Sequence, residues 1–275
     1  MTCAWQEFLA ILPNWLAIEV DKLGKQQLLE LRLRYGQAPQ LKLGQKSLWL
    51  NRKIQQEDLN FVVNTASHYS PWASKSISFG YLTAPGGHRI GLCGDGVIRE
   101  DGSHWIREVR SLCIRIARDF PGVAMPCANL SGSILILGSP GSGKTTLLRD
   151  LIRQVSRYEQ ICVVDERREL FPEGFQHGMQ MDVLTGCSKS AGMEMLLRTM
   201  GPSCIAVDEI TSEADCDSIL RACHCGVRLL ATAHGDSVND LRKRPIYRLL
   251  MEQRVFDHVL FLDADKSWKE VQVSA

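Results

Sequence analysis

The chain has 275 residues, of which 45% are hydrophobic and 23% are charged. This composition is typical of a globular protein and excludes a fibrous or largely disordered chain. Lysine and arginine together number 32 against 31 aspartates and glutamates, a formal net charge of +1, so no global field favours nucleic acid or an anionic membrane. At roughly 150 residues per domain, the length predicts about two domains.

Neither a membrane span nor an export signal is predicted. The longest apolar run, residues 8–12, is five residues long, far short of the roughly 20 that cross a bilayer. Glu7 lies where a signal peptide would carry positive charge. The 10 cysteines are too few for a disulfide scaffold, and we interpret them as reduced thiols. We therefore expect a cytoplasmic protein that does not insert into a membrane.

The first part of the chain predicts a small α+β domain. Apolar residues at helical spacing predict helices at residues 5–12 and 59–66. Alternating apolar residues predict a strand at residues 29–34, a hairpin at residues 41–50 and a strand pair joined by a turn at residues 81–92. Pro13 is expected to end the first helix because it has no backbone donor. The hairpin is expected to turn at residues 44–47, and the strand pair at residues 85–87.

A segment rich in proline and glycine, residues 119–132, predicts a connection between domains. We place the domains at residues 1–120 and 121–275. Beyond the connection, apolar runs typical of buried strands alternate with helical patterns: residues 134–137, 161–164, 204–207, 229–231 and 259–262. Such alternation predicts a parallel α/β sheet.

The strongest motif directly follows the first of these strands. The phosphate-binding pattern G-x-x-x-x-G-K-[ST] is matched in full by Gly138, Ser139, Pro140, Gly141, Ser142, Gly143, Lys144 and Thr145, with Thr146 next in the chain. The glycines let backbone amides converge on phosphate oxygens, Lys144 supplies a cation for the β- and γ-phosphates, and the Thr145 hydroxyl can bind Mg²⁺. We therefore predict that residues 138–146 bind ATP with Mg²⁺.

Two further predicted strands end in carboxylates. Asp208 and Glu209 follow residues 204–207, where we expect Asp208 to hold Mg²⁺ through water and Glu209 to deprotonate the attacking water. Glu166 follows residues 161–164 and is an alternative base, because ligands of open α/β sheets bind at these strand ends. A surface ion pair is the other interpretation of Glu166. The choice between the two glutamates stays open.

Two more kinds of side chain are expected to reach the γ-phosphate. Thr232 and His234 end another predicted strand, where they could sense this phosphate by hydrogen bonding. Phosphoryl transfer from ATP is also often assisted by a cation from a neighbouring domain or subunit, and a planar, permanently charged arginine suits that position. The candidates are Arg89, Arg115, Arg118 and Arg198. Arg115 is the first choice, because it alternates with apolar residues in a segment that leads to the connection.

Together, these motifs resemble the stage III sporulation protein AA group, within the secretion-type ATPases of the additional-strand P-loop class. The segments that carry the resemblance are ELRLRYGQAP (30–39), GGHRIGLCG (86–94), SLCIRIAR (111–118), VVDERREL, DVLTGCSKSAGMEMLLRTMGP, AVDEI and ATAHG. The resemblance implies a RecA-like P-loop ATPase domain preceded by a smaller α+β domain that contributes an interface and an arginine. It makes Glu209 the Walker B glutamate, Glu166 the acidic-box carboxylate, and Thr232 with His234 the histidine box.

The resemblance also implies a function and partners. The sporulation ATPase of this group is a cytoplasmic motor that energises a channel complex between mother cell and forespore, and relatives assemble as hexameric rings. We therefore expect self-association into a ring, peripheral recruitment to a membrane complex on the mother-cell side, and contacts with membrane-embedded channel or secretion proteins. The chain departs from the family pattern Asp-Glu-Ile-Gly-Arg, because Thr211 and Ser212 follow Ile210. This chain therefore has no arginine at that position to play the part it has in the family.

A nucleic-acid-stimulated P-loop ATPase is the alternative function, and an ATP-gated scaffold with negligible turnover is a third. The cluster Arg242-Lys243-Arg244 could contact phosphates, but at 7% aromatic residues the chain lacks the stacking platform of single-strand binders. We therefore expect no nucleic-acid partner. Zinc is also not expected at Cys216, Cys223, His224 and Cys225, because their spacing contains no C-x-x-C pair.

Overall fold

The computed structural model describes residues 1–44, 46–68, 80–98, 104–263 and 265–271. The chain divides into two units. The first comprises Met1–Asp119 with Pro172–Phe175, and the second comprises Phe120–Phe171 with Gln176–Ala275. A short segment from far along the chain thus belongs to the first unit.

The first unit is an antiparallel sheet with helices on one face. Its elements are α1 (Trp5–Ala10), α2 (Asn14–Asp21), β1 (Glu30–Arg34), β2 (Gln40–Leu43), β3 (Lys46–Trp49), α3 (Gln56–Ala66), β4 (Tyr81–Thr83), β5 (Arg89–Ile98) and β6 (His104–Arg115). The strand order is β3-β2-β1-β6-β5-β4. Alternate residues of the strands, such as Leu31, Leu33 and Ile114, are fully buried in one core with Phe8 and Leu59 of the helices.

Two details of the first unit differ from the sequence expectation. The first helix ends before Pro13 as expected, but a second helix that was not predicted, α2, begins directly after this proline, because a proline at the start of a helix lacks a donor that the helix would leave unpaired anyway. The hairpin turn is also tighter than expected. Lys46 and Ser47 already pair with β2, opposite Leu43 and Lys42.

The second unit is built around a sheet of seven strands. Its elements are β7 (Ile134–Gly138), α4 (Lys144–Val155), β8 (Ile161–Asp165), β9 (Met181–Thr185), α5 (Lys189–Thr199), β10 (Cys204–Val207), α6 (Glu213–His224), β11 (Arg228–His234), α7 (Val238–Lys243), α8 (Pro245–Glu252), β12 (His258–Leu262) and β13 (Trp268–Val271). The order is β13-β12-β7-β11-β10-β8-β9, and every neighbouring pair is parallel except the pair β12–β13. An antiparallel edge strand was not predicted from the sequence.

The strand order has a direct consequence for the site. β11 lies between β7, which precedes the glycine-rich loop, and β10, which precedes Asp208. This is the additional strand of the predicted P-loop class. In register, Val207 pairs with both Val164 and Ala231, and His234 pairs with Gly138. The residues that follow these positions therefore meet at one edge of the sheet.

The strands that lead to this edge are tightly packed. All residues of β7, β8 and β10 are buried, and α4 lies on one face of the sheet with Leu148, Leu151 and Ile152 fully buried. Strands buried on both faces form continuous apolar runs, and this explains why their positions were readable in the sequence. Within the described ranges, no helix is long and apolar enough to cross a bilayer.

Candidate active site

The glycine-rich loop joins β7 to α4 in a conformation that requires its glycines. Gly141 and Gly143 have φ angles of 76° and 106°, which side chains of L-residues rarely adopt. A Cβ atom on Gly138 would lie 2.7 Å from the carbonyl oxygen of Leu262 and 2.8 Å from Oγ of Ser142. The backbone can therefore curl around a bound group.

This loop has free hydrogen-bonding capacity directed at an anion. α4 begins at Lys144, and Gly143 at its N-cap has no side chain to satisfy the first amides of the helix. Ser142 is 2% exposed, and its Oγ has no partner among the described residues. Unpaired buried donors at the positive end of a helix fit a phosphate group.

Lys144 lies inside this cradle. Its Nζ donates to the carbonyl oxygen of Ser139 at 3.0 Å and contacts Nδ1 of His234 at 3.2 Å. Burial lowers the pKa of Lys144, while the carboxylates of Glu209 and Asp208 act in the opposite direction. A partly desolvated ammonium group gains most from an added anion, as a phosphate would supply.

Hard oxygen atoms converge beside the lysine. The hydroxyl of Thr145 donates to Oδ2 of Asp208 at 2.9 Å, and the hydroxyl of Thr232 donates to Oδ1 of the same carboxylate at 2.7 Å. Hydroxyl and carboxylate oxygens are the ligands that Mg²⁺ accepts, directly or through water. Thr145 and Asp208 therefore fit a magnesium ion next to the phosphate cradle.

Glu209 starts the loop after β10 in a strained conformation. Its φ angle is 38°, in the left-handed region that non-glycine residues rarely enter. The backbone amide is held by Oγ1 of Thr232 at 2.8 Å and by Oδ1 of Asp208 at 3.1 Å. The side chain is 43% exposed, so water can reach its carboxylate. Strain of this kind is concentrated at functional sites and persists only where neighbouring contacts enforce it.

His234 connects the lysine to the glutamate. Its Nε2 lies 3.2 Å from Oε1 of Glu209. If Lys144 donates to Nδ1, the imidazole proton is on Nε2 and is donated to Glu209. Nδ1 is also 3.2 Å from the carbonyl oxygen of Gly138. Through the histidine ring, the cation of the phosphate cradle is therefore in contact with the carboxylate.

The acidic pair after β8 has two different roles. Asp165 is buried and accepts hydrogen bonds from the amides of Glu169, Leu170 and Phe171, so it shapes the following turn. Glu166 points elsewhere, and its Oε2 accepts from Nζ of Lys189 at 2.9 Å. The sequence pattern did not indicate this lysine.

The candidate arginines lie in different surroundings. Arg115, in the first unit, is 67% exposed, and its Nε lies 3.6 Å from Oε2 of Glu30. The guanidinium of Arg89 lies 5.2 Å from the centre of the Tyr81 ring, and Arg118 donates to backbone carbonyls that include that of Leu28. In the second unit, Arg198 pairs with Glu194 on the surface of α5. A role at the γ-phosphate stays a prediction for each of them.

Two cations that were not predicted at the candidate site lie near it. Lys266, in the β12–β13 hairpin, donates to the carbonyl oxygen of Gly141 at 3.4 Å. Arg244 donates to the carbonyl oxygen of His234 at 3.1 Å. Lys266 lies in no recognisable motif, and Arg244 belongs to the basic cluster 242–244 that was considered only for nucleic-acid phosphates. Among the residues described, no group of three or more His, Cys, Asp or Glu side chains is arranged to hold a metal ion.

Comparison with known proteins agrees with this fold. Residues 8–274 match the family described as sporulation stage III, protein AA. The chain belongs to this family. It is 35% identical over 281 residues to Stage III sporulation protein AA of Bacillus subtilis strain 168, which covers 94% of this chain and 91% of that protein. The resemblance seen in the sequence is thus confirmed.

Solved structures with the same fold include an ATPase and a pilus retraction motor. The ATPase DotB of Legionella pneumophila superposes with a TM-score of 0.60 at 16% identity, covering 94% of this chain and 80% of DotB. The pilus retraction motor PilT with bound ADP gives a TM-score of 0.60 at 14% identity, covering 90% of this chain and 76% of PilT. At such identities the likeness shows the fold alone. It confirms the predicted P-loop ATPase fold of the sporulation stage III protein AA chain.

Proposed function

We propose that this member of the sporulation stage III protein AA family is an ATP-hydrolysing motor subunit that converts ATP and water to ADP and phosphate. One observation carries the proposal. Lys144, Thr145, Asp208, Glu209 and His234 lie in one series of contacts of 2.9–3.2 Å at the mouth of the glycine-rich loop. The ATPases with which the chain shares its fold support the same conclusion.

The loop would hold the phosphate chain of ATP. The first backbone amides of α4 and the hydroxyl of Ser142 would face the phosphates, and Lys144 would bind the β- and γ-oxygens. Thr145 and Asp208 would hold Mg²⁺, which supplies positive charge that offsets charge on the transferring phosphate. To reach the phosphates, Lys144 must leave Nδ1 of His234. Nucleotide binding would thus free Nδ1 of His234, and the histidine would donate to the γ-phosphate in the tautomer that carries its proton on Nδ1.

Glu209 is the better base of the two candidates. Its carboxylate is exposed to water and lies 3.2 Å from Nε2 of His234, whereas that of Glu166 is bound by the ammonium of Lys189 at 2.9 Å. The carboxylate of Glu166 is thus already engaged by a cation, whereas that of Glu209 is open to the attacking water. Glu209 would take a proton from a water molecule while the oxygen of this water attacks the γ-phosphorus. The bond between the γ-phosphorus and the bridging oxygen then breaks, and that oxygen leaves with ADP.

Membership of the family supports a more specific proposal. We propose that copies of the chain assemble into a ring, hexameric as in relatives, in which Arg115 reaches the γ-phosphate from a neighbour. The ring would be recruited to membrane-embedded channel or secretion proteins from the mother-cell cytoplasm. The exposed guanidinium of Arg115 supports this, since 67% of its side chain is accessible.

Phosphate release by the purified protein with Mg-ATP, over a range of protein concentrations and alongside light scattering, tests the proposal. We expect turnover that needs Mg²⁺ and rises cooperatively as the protein assembles. Glu209→Gln should bind ATP without hydrolysing it, while Glu166→Gln should retain a larger fraction of turnover. Undiminished turnover in Glu209→Gln would remove this residue from its role. Turnover by a monomer at full rate would remove Arg115 from its role in a neighbouring site.

A further inference from the structure

Lys189 is a nearly buried lysine that the proposed reaction does not use. Its side chain is 10% exposed. It is the first residue of α5, where the aligned peptide dipoles place positive charge. A cation at this position is disfavoured twice, by the loss of water and by the dipole. The position therefore depends on compensating carboxylates.

Two carboxylates from two other elements provide this compensation. Nζ of Lys189 lies 2.9 Å from Oε2 of Glu166, which follows β8, and 3.7 Å from Oδ2 of Asp215, in the first turn of α6. Asp215 is 7% exposed. Within the described part of the chain, Lys189 is the only partner of the Glu166 carboxylate. The lysine therefore joins the ends of three elements.

Asp215 in turn fixes the loop that carries the proposed base. In this loop, residues 209–212, the amides of Thr211 and Ser212 donate to Oδ2 of Asp215 at 3.0 and 3.1 Å. The hydroxyl of Thr211 donates to the same oxygen at 3.2 Å. The first amide of the loop is bound at the opposite end by Oγ1 of Thr232. The loop is thus held at both ends, and one end depends on the Asp215 carboxylate.

We propose that Lys189 is a positioning residue: by binding Glu166 and Asp215 together, it sets the position of loop 209–212, and hence of Glu209, relative to the end of β8. Without the ammonium group, the buried carboxylate of Asp215 loses its cation, and the carboxylate of Glu166 loses its ion pair with Lys189. Both side chains then relax, and the loop moves with Asp215. The effect on turnover rests on the proposed function, whereas the effect on the loop does not.

Steady-state kinetics test the effect on turnover. Lys189→Met keeps the apolar stem and removes the charge, and we expect kcat to fall about 10- to 100-fold with KM for ATP changed less than about 3-fold. Lys189→Arg should recover most of the loss, because it restores the cation. Lys269→Met is the matched control, since this lysine is 65% exposed and pairs with Asp263 at 3.7 Å, and it should turn over as the wild type does.

A double variant tests whether the two partners act as a unit. Glu166→Gln combined with Lys189→Met should be no slower than Lys189→Met alone, because both changes break the same pair. Asp215→Asn breaks the assembly from its other end with a side chain of the same shape. Asp215→Asn should show the same loss of kcat at unchanged KM. It replaces Lys189→Met in the test if the Lys189→Met protein does not fold. Losses that multiply in the double variant, or wild-type kcat in Lys189→Met or Asp215→Asn, overturn the proposal.

Amide hydrogen exchange separates this proposal from the proposed function. In Lys189→Met, the amides of Thr211 and Ser212 should exchange about 10-fold faster than in the wild type, because their acceptor has lost its anchor. In Lys269→Met they should exchange at the wild-type rate. If the wild type hydrolyses no ATP, the proposed function fails, and the exchange rates still decide on Lys189. Unchanged exchange at both amides overturns the positioning role.

Discussion

Replacing Thr232 with valine tests how Glu209 is held. Thr232 is 0% exposed, and its hydroxyl donates to Oδ1 of Asp208 and accepts from the amide of Glu209. Valine occupies nearly the same volume but makes neither hydrogen bond. We expect kcat to fall while ATP affinity stays close to the wild-type value, because Lys144 and the glycine-rich loop are untouched.

The hydrogen bonds of Thr232 set the size of this effect. A hydrogen bond to a charged group contributes about 1.5–3 kcal/mol and one between neutral groups about 0.5–1.5 kcal/mol. The amide of Glu209 keeps its second acceptor, Oδ1 of Asp208 at 3.1 Å, so the loss is partial. A loss of about 2 kcal/mol in the free energy that holds Glu209 in place corresponds to a kcat about 30-fold lower.

The assay combines phosphate release at saturating Mg-ATP with titration of a fluorescent ATP analogue. Thr232→Ser is the control, since it keeps the hydroxyl and loses one buried methyl group, at about 1 kcal/mol in the free energy of unfolding. It should retain most of kcat. Equal kcat values in the valine and serine variants would refute the reasoning, as would an ATP affinity that falls as far as kcat does.

Three further predictions concern the loop, its neighbouring hairpin and the first unit. Gly143→Ala should weaken ATP binding about tenfold, because a φ of 106° costs an L-residue about 1–2 kcal/mol. The control is Gly122→Ala, at φ 93°, which should lower the stability of the fold and leave ATP affinity unchanged. Equal ATP affinities in titrations of the two variants would contradict this prediction. Lys266→Ala should raise KM for ATP about 2- to 5-fold at low salt and less at high salt, as expected of an exposed cation near phosphates; an identical rise in Lys269→Ala would assign the effect to general charge. Burial lowers the pKa of His88 below 6.5, so the unfolded chain binds this proton first as the pH falls. The free energy of unfolding in urea should therefore decrease below about pH 6.5 and do so less steeply in His88→Gln, and parallel pH profiles would exclude His88 as a cause.

The elements that could be predicted from the sequence are those with strong local patterns. β7, β8 and β10 are buried on both faces and appear as unbroken apolar runs, and each ends at a turn with recognisable chemistry. β9 and β13 lie at the edges of the same sheet, where every residue is partly or fully exposed, and their mixed sequences resemble loops. The pattern of unbroken apolar runs therefore predicted the central strands but not the edge strands.

The candidate site shows the same division. The phosphate-binding pattern names its residues because they are consecutive and each has a stated task. The contact of Lys144 with His234 joins residues 90 positions apart, and that of Glu166 with Lys189 joins residues 23 positions apart. Both depend on which strands are neighbours, and the order of a parallel sheet is not encoded in the spacing of apolar residues. The motifs could therefore be identified from the sequence, whereas the contacts between distant side chains could be identified only from the fold.

The residues that follow Glu209 start the next helix. Thr211 and Ser212 follow Ile210, and Ser212 caps α6 by accepting from the amide of Asp215 at 3.2 Å while Asp215 accepts from Ser212 in return. This capping box starts the helix directly after the loop and stabilises it by about 1 kcal/mol. No arginine of the loop can then neutralise the acidic groups near its end. Lys189, from a different helix, provides that charge, which explains why a lysine is tolerated at the unfavourable end of α5.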